Sequence, residues 1–218
     1  NIKELLTGTV IPEIRHEDFK HIHIVIPPLE LQNKIVEQLD NIYENEILNS
    51  KNLIEGLEKS IESIMKNTLY LDGLEEYKLK DLHVDKIETN KVIDENGSYP
   101  KYQSGGIAKY ENYYILDGEY ITFGRKGTLG KPCYTKGKFS VNDNVFIYKS
   151  LDSIVINYYL YLHLKYIKDY LSLANGSGAP GINYKLLEHY KIHIPTLEKQ
   201  QEILAQIEPK EQLIELLK

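Results

Sequence analysis

The feature that most constrains the fold of this chain is residues 29–68, a stretch with no proline and a single glycine, Gly56. Its apolar residues recur at spacings of three and four, the pattern of an amphipathic helix close to a heptad repeat. The apolar positions, with one shift of phase near Tyr43, are Ile35, Val36, Leu39, Ile42, Tyr43, Ile47, Ile54, Leu57, Ile61 and Ile64. A helix from Glu30 to Asn67 would be about 57 Å long, at about 1.5 Å per residue.

An apolar stripe of this length has to be buried against another helix, because the core of one domain is rarely long enough to cover it. We therefore interpret the stretch as a spacer or coiled-coil helix; the alternative is an ordinary long surface helix. The spacer interpretation would fail if Val36, Ile54 and Ile61 all lay in the compact core of the β-rich segment with no second helix alongside.

The composition narrows the class of protein. The single cysteine, Cys133, excludes an internal disulfide and fits a reducing cytoplasm. No apolar run is long enough to span a membrane and no signal peptide is visible, so we expect a cytoplasmic protein with no membrane partner. The length allows one or two domains, and the mixture of periods predicts an α+β fold. The chain begins at Asn1 inside what looks like a structured segment, which suggests a piece of a longer protein.

The charge is sorted by segment, although the formal net charge of the chain is -6. The long helical stretch is acidic. Between Ser98 and Ser150, eight cations and four anions give an excess of +4. A modest basic excess of this kind could meet phosphate groups. The separation indicates that the helix and the segment after it have different tasks.

An internal repeat divides the chain. The helix start Ile26-Pro27-Pro28-Leu29-Glu30-Leu31-Gln32 returns as Ile194-Pro195-Thr196-Leu197-Glu198-Lys199-Gln200. In the same register, Gly8, Pro12, Ile14, His21 and Ile24 correspond to Gly176, Pro180, Ile182, His189 and Ile192. Each copy predicts a glycine-containing turn, a short strand, a proline and a helix start. We therefore predict the tail of one unit at 1–28, a spacer helix at 29–70, a domain at 71–195 and the start of a second helix at 196–218, which Pro209 should kink or stop.

The two helix starts, and the run Gly118-Glu119-Tyr120-Ile121-Thr122-Phe123-Gly124-Arg125-Lys126-Gly127 leading to Ser140-Val141-Asn142-Asp143-Asn144-Val145, resemble the specificity subunit of type I restriction–modification systems. The resemblance covers essentially the whole chain. It implies a small mixed β-sheet target-recognition domain attached to long coiled-coil-like helices. It also implies that two such domains each read half of a split double-stranded DNA site while paired antiparallel helices set the gap.

The same resemblance implies the partners. Methyltransferase (modification) subunits dock on the helices and domains, with the restriction subunit as a further candidate. Catalysis belongs to those partners, so this chain is expected to be non-catalytic. Only one complete recognition domain is present, so a split site would need a homodimer or a second half-subunit joined through the long helices.

Within the domain, the pattern of residues predicts short strands and turns. Ser104-Gly105-Gly106 is a turn, and Asp117-Gly118 indicates a hairpin between strands Tyr113–Leu116 and Tyr120–Gly124. Residues 155–173 are predicted to be helical. Asn175–Gly181 is a glycine-rich loop whose backbone could approach a phosphate, although a structural turn is the safer interpretation.

The loop after Gly124 carries the first candidate site residues, Arg125, Lys126, Thr128 and Lys131. It departs from a phosphate-binding P-loop because the gap between its glycines is one residue too long and Pro132 replaces the hydroxyl residue. Arginine can bind guanine O6 and N7 with two hydrogen bonds, whereas lysine more often contacts phosphates. We predict that this loop faces DNA with Arg125 as the base reader; the alternative is a solvated basic hairpin.

The other candidate DNA-binding residues are Tyr102, Gln103, Ser104, Asn142 and Asn144. Glutamine and asparagine can pair with adenine N6 and N7. Plain turn roles are the alternative for all five, and for the two asparagines the turn interpretation is slightly favoured.

The sequence contains no catalytic set that we recognise. Methyltransferase, Rossmann and helicase motifs are absent, and the carboxylates lie mostly on the helix rather than in a nuclease-like cluster. His21, His23, His189 and His193 alternate on strands without a third ligand nearby, so metal binding is not expected, and no cofactor is predicted. The leading function is DNA recognition; the alternative is a coiled-coil interaction protein with a β-rich ligand domain that does not bind DNA.

Overall fold

The computed structural model describes residues 25–83, 88–176 and 180–218. The fold is α+β, as predicted. Contacts divide the chain into two compact units, residues 1–51 and 52–218. The predictions that fall on residues 1–24, including the repeat positions Gly8 to Ile24 and the His21–His23 pair, lie outside the described residues.

The first unit contains helix α1 (Leu29–Ile42), a π-helical turn (Tyr43–Ile47) and the beginning of helix α2 (Leu48–Asn67). The π-helical turn coincides with the shift of phase in the apolar pattern, because an i→i+5 hydrogen bond takes up one additional residue. The apolar stripe of α1 is exposed: Val36 has 55% of its surface accessible and Leu39 has 58%.

The second unit carries the strands and the remaining helices. The strands are β1 (Glu75–Lys78), β2 (Val92–Ile93), β3 (Tyr99–Gln103), β4 (Gly106–Glu111), β5 (Tyr113–Tyr114), β6 (Leu116–Asp117), β7 (Tyr120–Gly124), β8 (Cys133–Thr135), β9 (Lys138–Val141), β10 (Val145–Tyr148), β11 (Ala174–Asn175), β12 (Gly181–Ile182) and β13 (Lys191–Ile194). The helices are α3 (Asn157–Tyr166), α4 (Tyr184–Glu188) and α5 (Leu197–Leu216), with 3-10 turns at Thr68–Tyr70, Leu79–Leu82 and Asp169–Leu173.

Two small sheets position the loops of this unit. One has the strand order β4-β3-β9-β6 and is mixed, because β3 and β9 run parallel. The other has the order β10-β7-β8 and is antiparallel, with every residue of the central strand β7 buried. Strand β13 returns to pair with β1, and this pairing places the start of α5 next to the beginning of the domain.

Helices α2 and α5 run antiparallel within the second unit. Glu58 and Ile61 line one cavity with Ile214 and Lys218 near the end of the chain. Ile64 and Asn67 line another cavity with Lys199, Ile203 and Gln206 at the start of α5. Ile61 is fully buried in a core shared with the strands and Ile54 is half-buried, but a second helix does lie alongside and Val36 is exposed. The second helix that the spacer interpretation requires is therefore present as α5. The spacer role itself stays a prediction.

The predicted hairpin at Asp117-Gly118 is wrong. Strand β6 pairs with β9, whereas β7 pairs with β8 and β10, so the two strands enter different sheets. Gly118 has a φ of +134°, a conformation that an L side chain rarely adopts, and its N–H donates to the carbonyl oxygen of Gly137. Gly118 therefore lies where the chain passes from one sheet to the other, and it is not part of a two-residue hairpin turn.

Two helix predictions also need correction. The helix predicted at 155–173 ends at Tyr166, because Lys168 adopts the left-handed conformation with φ +61° and a 3-10 turn follows. Pro209 does not stop α5, which continues to Leu216. The carbonyl freed by Pro209 belongs to the exposed Ala205 and can bind water. Ile207 and Ile214 are both buried, and that burial offsets the cost of about 3 kcal/mol for a proline inside a helix.

Candidate nucleic-acid interface

A basic loop leaves the sheet at the end of the buried strand β7. Phe123 at the end of this strand packs against Phe146 and Tyr148 at ring distances of about 5.5 Å. Arg125, Lys126 and Thr128 follow at once and are all exposed. A rigid apolar strand therefore presents a solvent-exposed cationic loop.

Segments that are distant in the sequence meet at the base of this loop. The backbone N–H of Arg125 donates to the carbonyl oxygen of Asn144 at 2.8 Å. The hydroxyl of Ser104 donates to the same oxygen at 3.1 Å. A Cβ atom added to Gly124 would lie 2.3 Å from the carbonyl oxygen of Thr128 and 2.9 Å from the Cβ atom of Ser104. Only glycine therefore allows this approach.

The glycine-rich loop contacts the basic loop, a contact that the sequence reasoning missed. The N–H of Gly127 donates to the carbonyl oxygen of Pro180 at 3.2 Å, and the N–H of Ile182 donates to that of Arg125 at 2.9 Å. Lys126 and Gly181 form a β-bridge. Residues 177–179 lie outside the described part, so the structure describes the loop on both sides of them. In the sequence, the glycine content of residues 175–181 was the signal that could have indicated this contact. We call residues 103–105, 125–131, 142–144 and 180–181 the basic loop surface.

Several lysines of the segment 98–150 that lie outside the basic loop surface form ion pairs with carboxylates. Lys101 and Lys109 both form ion pairs with Glu111, at 3.2 and 2.8 Å. Burial alone would raise the pKa of the Glu111 carboxyl, but hydrogen bonds from Lys109, Tyr113, Lys101 and Ser140 lower it to about 2. Lys136 pairs with Glu119.

Arg125, Lys126 and Lys131 differ from those lysines. Within residues 25–83, 88–176 and 180–218, none of the three forms an ion pair with a carboxylate. Lys138 and Lys149 also form no ion pair there, but each lies over a tyrosine ring, at 4.9 and 5.6 Å. Three of the five cations of this segment that have no carboxylate partner among the described residues therefore lie on the basic loop surface, where they are available to an anionic ligand.

The remaining predicted residues have different surroundings. Tyr102 is half-buried, and its ring meets Phe139 edge to face at 5.6 Å; burial raises the pKa of its hydroxyl. Gln103 is exposed at the end of β3. The side-chain oxygen of Asn142 accepts from the N–H of Asn144 at 3.1 Å, the geometry of an asparagine turn. Lys131 is exposed at the end of the loop.

We find no catalytic geometry in the described residues. No group of three His, Cys, Asp or Glu side chains comes close enough there to hold a metal ion. Burial raises the pKa of the Cys133 thiol, which makes it a poor nucleophile. None of the described helices combines the length and the apolar content that a bilayer crossing requires.

The fold and the site together define a class: a small β-rich domain that presents an exposed cationic loop and is attached to an antiparallel pair of helices. Residues 1–59 and 72–218 match the family model described as the type I restriction modification DNA specificity domain. The chain belongs to this family, and the predicted resemblance is confirmed.

Relatives and solved structures agree with this assignment. The chain is 27% identical to the type I restriction enzyme MjaX specificity subunit of Methanocaldococcus jannaschii, over 93% of this chain and 56% of that protein. It is 25% identical to the EcoprrI specificity subunit of Escherichia coli, over 76% of this chain and 38% of that protein. The chain thus spans about half or less of the length of these relatives.

The fold is that of solved specificity subunits. The crystal structure of the S subunit from M. genitalium matches with a TM-score of 0.64 at 18% identity, over 99% of this chain and 63% of that one. The HsdS subunit of Thermoanaerobacter tengcongensis matches with a TM-score of 0.53 at 17% identity, over 99% and 61%.

Proposed function

We propose that this chain recognises duplex DNA through the basic loop surface and thereby directs a type I restriction–modification enzyme to its target. The observation that carries the proposal is the grouping of three exposed cations, Arg125, Lys126 and Lys131, within seven positions after β7, none of them paired with a carboxylate of the described residues. The family membership and the names of the relatives support the same conclusion. Phosphate contacts and base contacts require such a surface.

Within the surface we propose a division of labour. Arg125 reads a base, because its guanidinium can form two hydrogen bonds with guanine. Lys126 and Lys131 contact phosphates and fix the register of the domain on the duplex. Gln103 is the second candidate base reader, since it is exposed beside Ser104. Asn142 keeps a turn role, because its side-chain oxygen is occupied by the N–H of Asn144.

The helices have a separate task in this proposal. The exposed apolar stripe of α1, which includes Val36 and Leu39, would be covered by a methyltransferase subunit or by the helix of a second half-subunit. The restriction subunit is a further partner. The reaction itself would be carried out by these partners, and this chain would contribute the choice of sequence and the spacing between half-sites.

The same exposed stripe is also what a coiled-coil interaction protein would show, so this second function needs to be separated from the first. Methylome sequencing of cells with and without this chain does so. If the proposal is right, a split methylated motif is lost when the chain is deleted. It returns with the wild-type chain, and returns weakened or altered with an Arg125→Ala variant. An unchanged methylome would contradict the proposal.

A further inference from the structure

The side chain of Gln200 occupies an unusual position for a glutamine near the start of a helix. It is fully buried, and its amide takes part in three hydrogen bonds. The side-chain nitrogen donates to the carbonyl oxygens of Pro195 at 2.8 Å and Ile154 at 3.0 Å. The side-chain oxygen accepts from the N–H of Ile156 at 2.8 Å. One amide therefore joins the end of β13, the start of α5 and the loop that leads into α3.

The internal repeat separates the local part of this arrangement from the rest. Gln32 is the repeat equivalent of Gln200, and its side-chain nitrogen donates to the carbonyl oxygen of Pro27 at 2.7 Å. This bond matches the one from Gln200 to Pro195. The local bond is thus common to both helix starts, whereas the bonds of Gln200 to residues 154 and 156 join segments 46 and 44 positions apart in the chain.

A second amide extends the connection to the strand that carries the basic loop. Asn157 follows Ile156 directly and is also buried. Its side-chain oxygen accepts from the N–H of Ser150 at 3.1 Å, and its side-chain nitrogen donates to the carbonyl oxygen of Glu119 at 3.3 Å. Glu119 immediately precedes β7. Two sets of hydrogen bonds, joined by the peptide bond between Ile156 and Asn157, thus connect the first turn of α5 with the residue before the strand that ends at Gly124.

We propose that Gln200 is a positioning residue that fixes the orientation of the basic loop on the α2–α5 helix pair. The proposal rests on the function proposed above, since orientation matters when helices set the gap between two half-sites. Buried amides with all their partners present are rigid, whereas apolar contacts alone allow packed elements to slide. A buried glutamine is therefore better suited than a leucine to fix the orientation of the basic loop relative to the helix pair.

The test compares two neighbouring glutamines on the same helix. Gln200→Met removes the three bonds and keeps the length of the side chain, and Gln201→Met changes an exposed neighbour. Spin labels at Lys59→Cys on α2 and Lys126→Cys in the basic loop, in a Cys133→Ser background, report the distance between helix and loop. We expect Gln200→Met to broaden the distance distribution at least twofold and Gln201→Met to leave it unchanged. A distribution of wild-type width in Gln200→Met would overturn the proposal.

Two further variants separate positioning from loss of stability. Leu79→Ala weakens the main core at a fully buried residue that makes none of the hydrogen bonds in this series, and it should lower Tm without broadening the distribution. If Gln200→Met does not fold, Gln200→Asn keeps an uncharged amide but is one methylene shorter, so that it cannot reach all three partners, and the same broadening is expected. No broadening in Gln200→Asn would also count against the proposal.

The distance measurement uses no DNA, so its outcome does not depend on the proposed function. A reconstituted complex with methyltransferase subunits adds the functional measurement. There, Gln200→Met should accept half-sites separated by one base pair more or fewer while keeping the base preference of each half-site. A change in base preference with an unchanged preference for the gap would contradict a positioning role.

Discussion

The hydroxyl group of Ser104 donates a hydrogen bond of 3.1 Å to the carbonyl oxygen of Asn144, a residue 40 positions further along the chain. This bond joins the turn after β3 to the turn before β10. Both turns lie against the end of β7, where the N–H of Arg125 donates to the same carbonyl oxygen. The geometry of the basic loop surface is thus held by backbone groups and the Ser104 hydroxyl, and the exposed side chains of Arg125 and Lys126, which form no ion pair within the described residues, are available to a ligand.

Gly124 is the position at which this arrangement is least tolerant of change. In Gly124→Ala the new methyl group would meet the carbonyl oxygen of Thr128 at 2.3 Å, so the loop has to move. We expect a loss of stability of about 1–3 kcal/mol, the usual cost of overpacking, and a loss of DNA affinity on the order of tenfold. Urea unfolding and a fluorescence-anisotropy titration measure the two effects. Wild-type affinity in this variant would show that the loop geometry does not matter for binding.

Gly56, unlike Gly124, has room for a side chain. It lies in α2, and a Cβ atom added there would meet nothing within 4 Å. We expect Gly56→Ala to raise the free energy of unfolding by about 0.5–1 kcal/mol, because alanine loses less backbone entropy in a helix than glycine. DNA affinity should stay unchanged. A decrease in stability would mean that this part of α2 is not a regular helix in solution.

Substitutions of Arg125 and Lys126 by alanine should change DNA binding in different ways. Arg125→Ala should reduce discrimination between the preferred and other base pairs by about 1–3 kcal/mol, because two hydrogen bonds to one base are lost. Lys126→Ala should weaken binding to all sequences to a similar degree and reduce the salt slope by about 1. Binding to a randomised DNA library followed by sequencing measures both. If the two variants lose affinity equally on every sequence, Arg125 contacts phosphate rather than a base.

His163 makes stability depend on pH. Burial lowers its pKa to about 3 in the folded protein, and its buried Nδ1 atom has no hydrogen-bond partner among the described residues. Unfolded chains bind a proton at the ordinary value of 6.5, so stability is complete above this pH and decreases as the pH falls. Between pH 6.5 and 5 we expect the free energy of unfolding to decrease by up to about 1.4 kcal/mol per pH unit. His163→Gln should remove this slope; a slope that persists in the variant would assign it to other groups.

The sequence was sufficient for the elements with a strong period. The amphipathic pattern predicts α1 and α2, and its change of phase falls at the π-helical turn Tyr43–Ile47. The turn at Ser104-Gly105-Gly106 is confirmed as the connection between β3 and β4. In these cases the local sequence alone determines the local structure, because the residues that interact lie within a few positions of each other.

The convergence of the candidate site could not be derived in this way. Ser104 lies close to Asn144 because β3 pairs in parallel with β9, with Tyr102 opposite Val141, and no local pattern encodes that register. The hairpin predicted at Asp117-Gly118 is wrong for the same reason, since a turn sequence does not reveal which sheet the next strand joins. The resemblance to a family indicates the loop after Gly124 as the candidate, whereas the contacts of Pro180 and Gly181 with that loop are seen only in the three-dimensional structure.

The most direct test of the account is a salt titration of DNA binding by the wild-type chain and by two double variants. Arg125→Ala/Lys126→Ala removes two cations from the basic loop surface. Lys59→Ala/Lys66→Ala removes two exposed cations from α2, each paired with a glutamate four positions earlier. We predict that affinity falls linearly with the logarithm of salt concentration and that only the loop variant binds more weakly with a shallower slope. Equal behaviour of the two double variants, or affinity without any salt slope, would contradict the account.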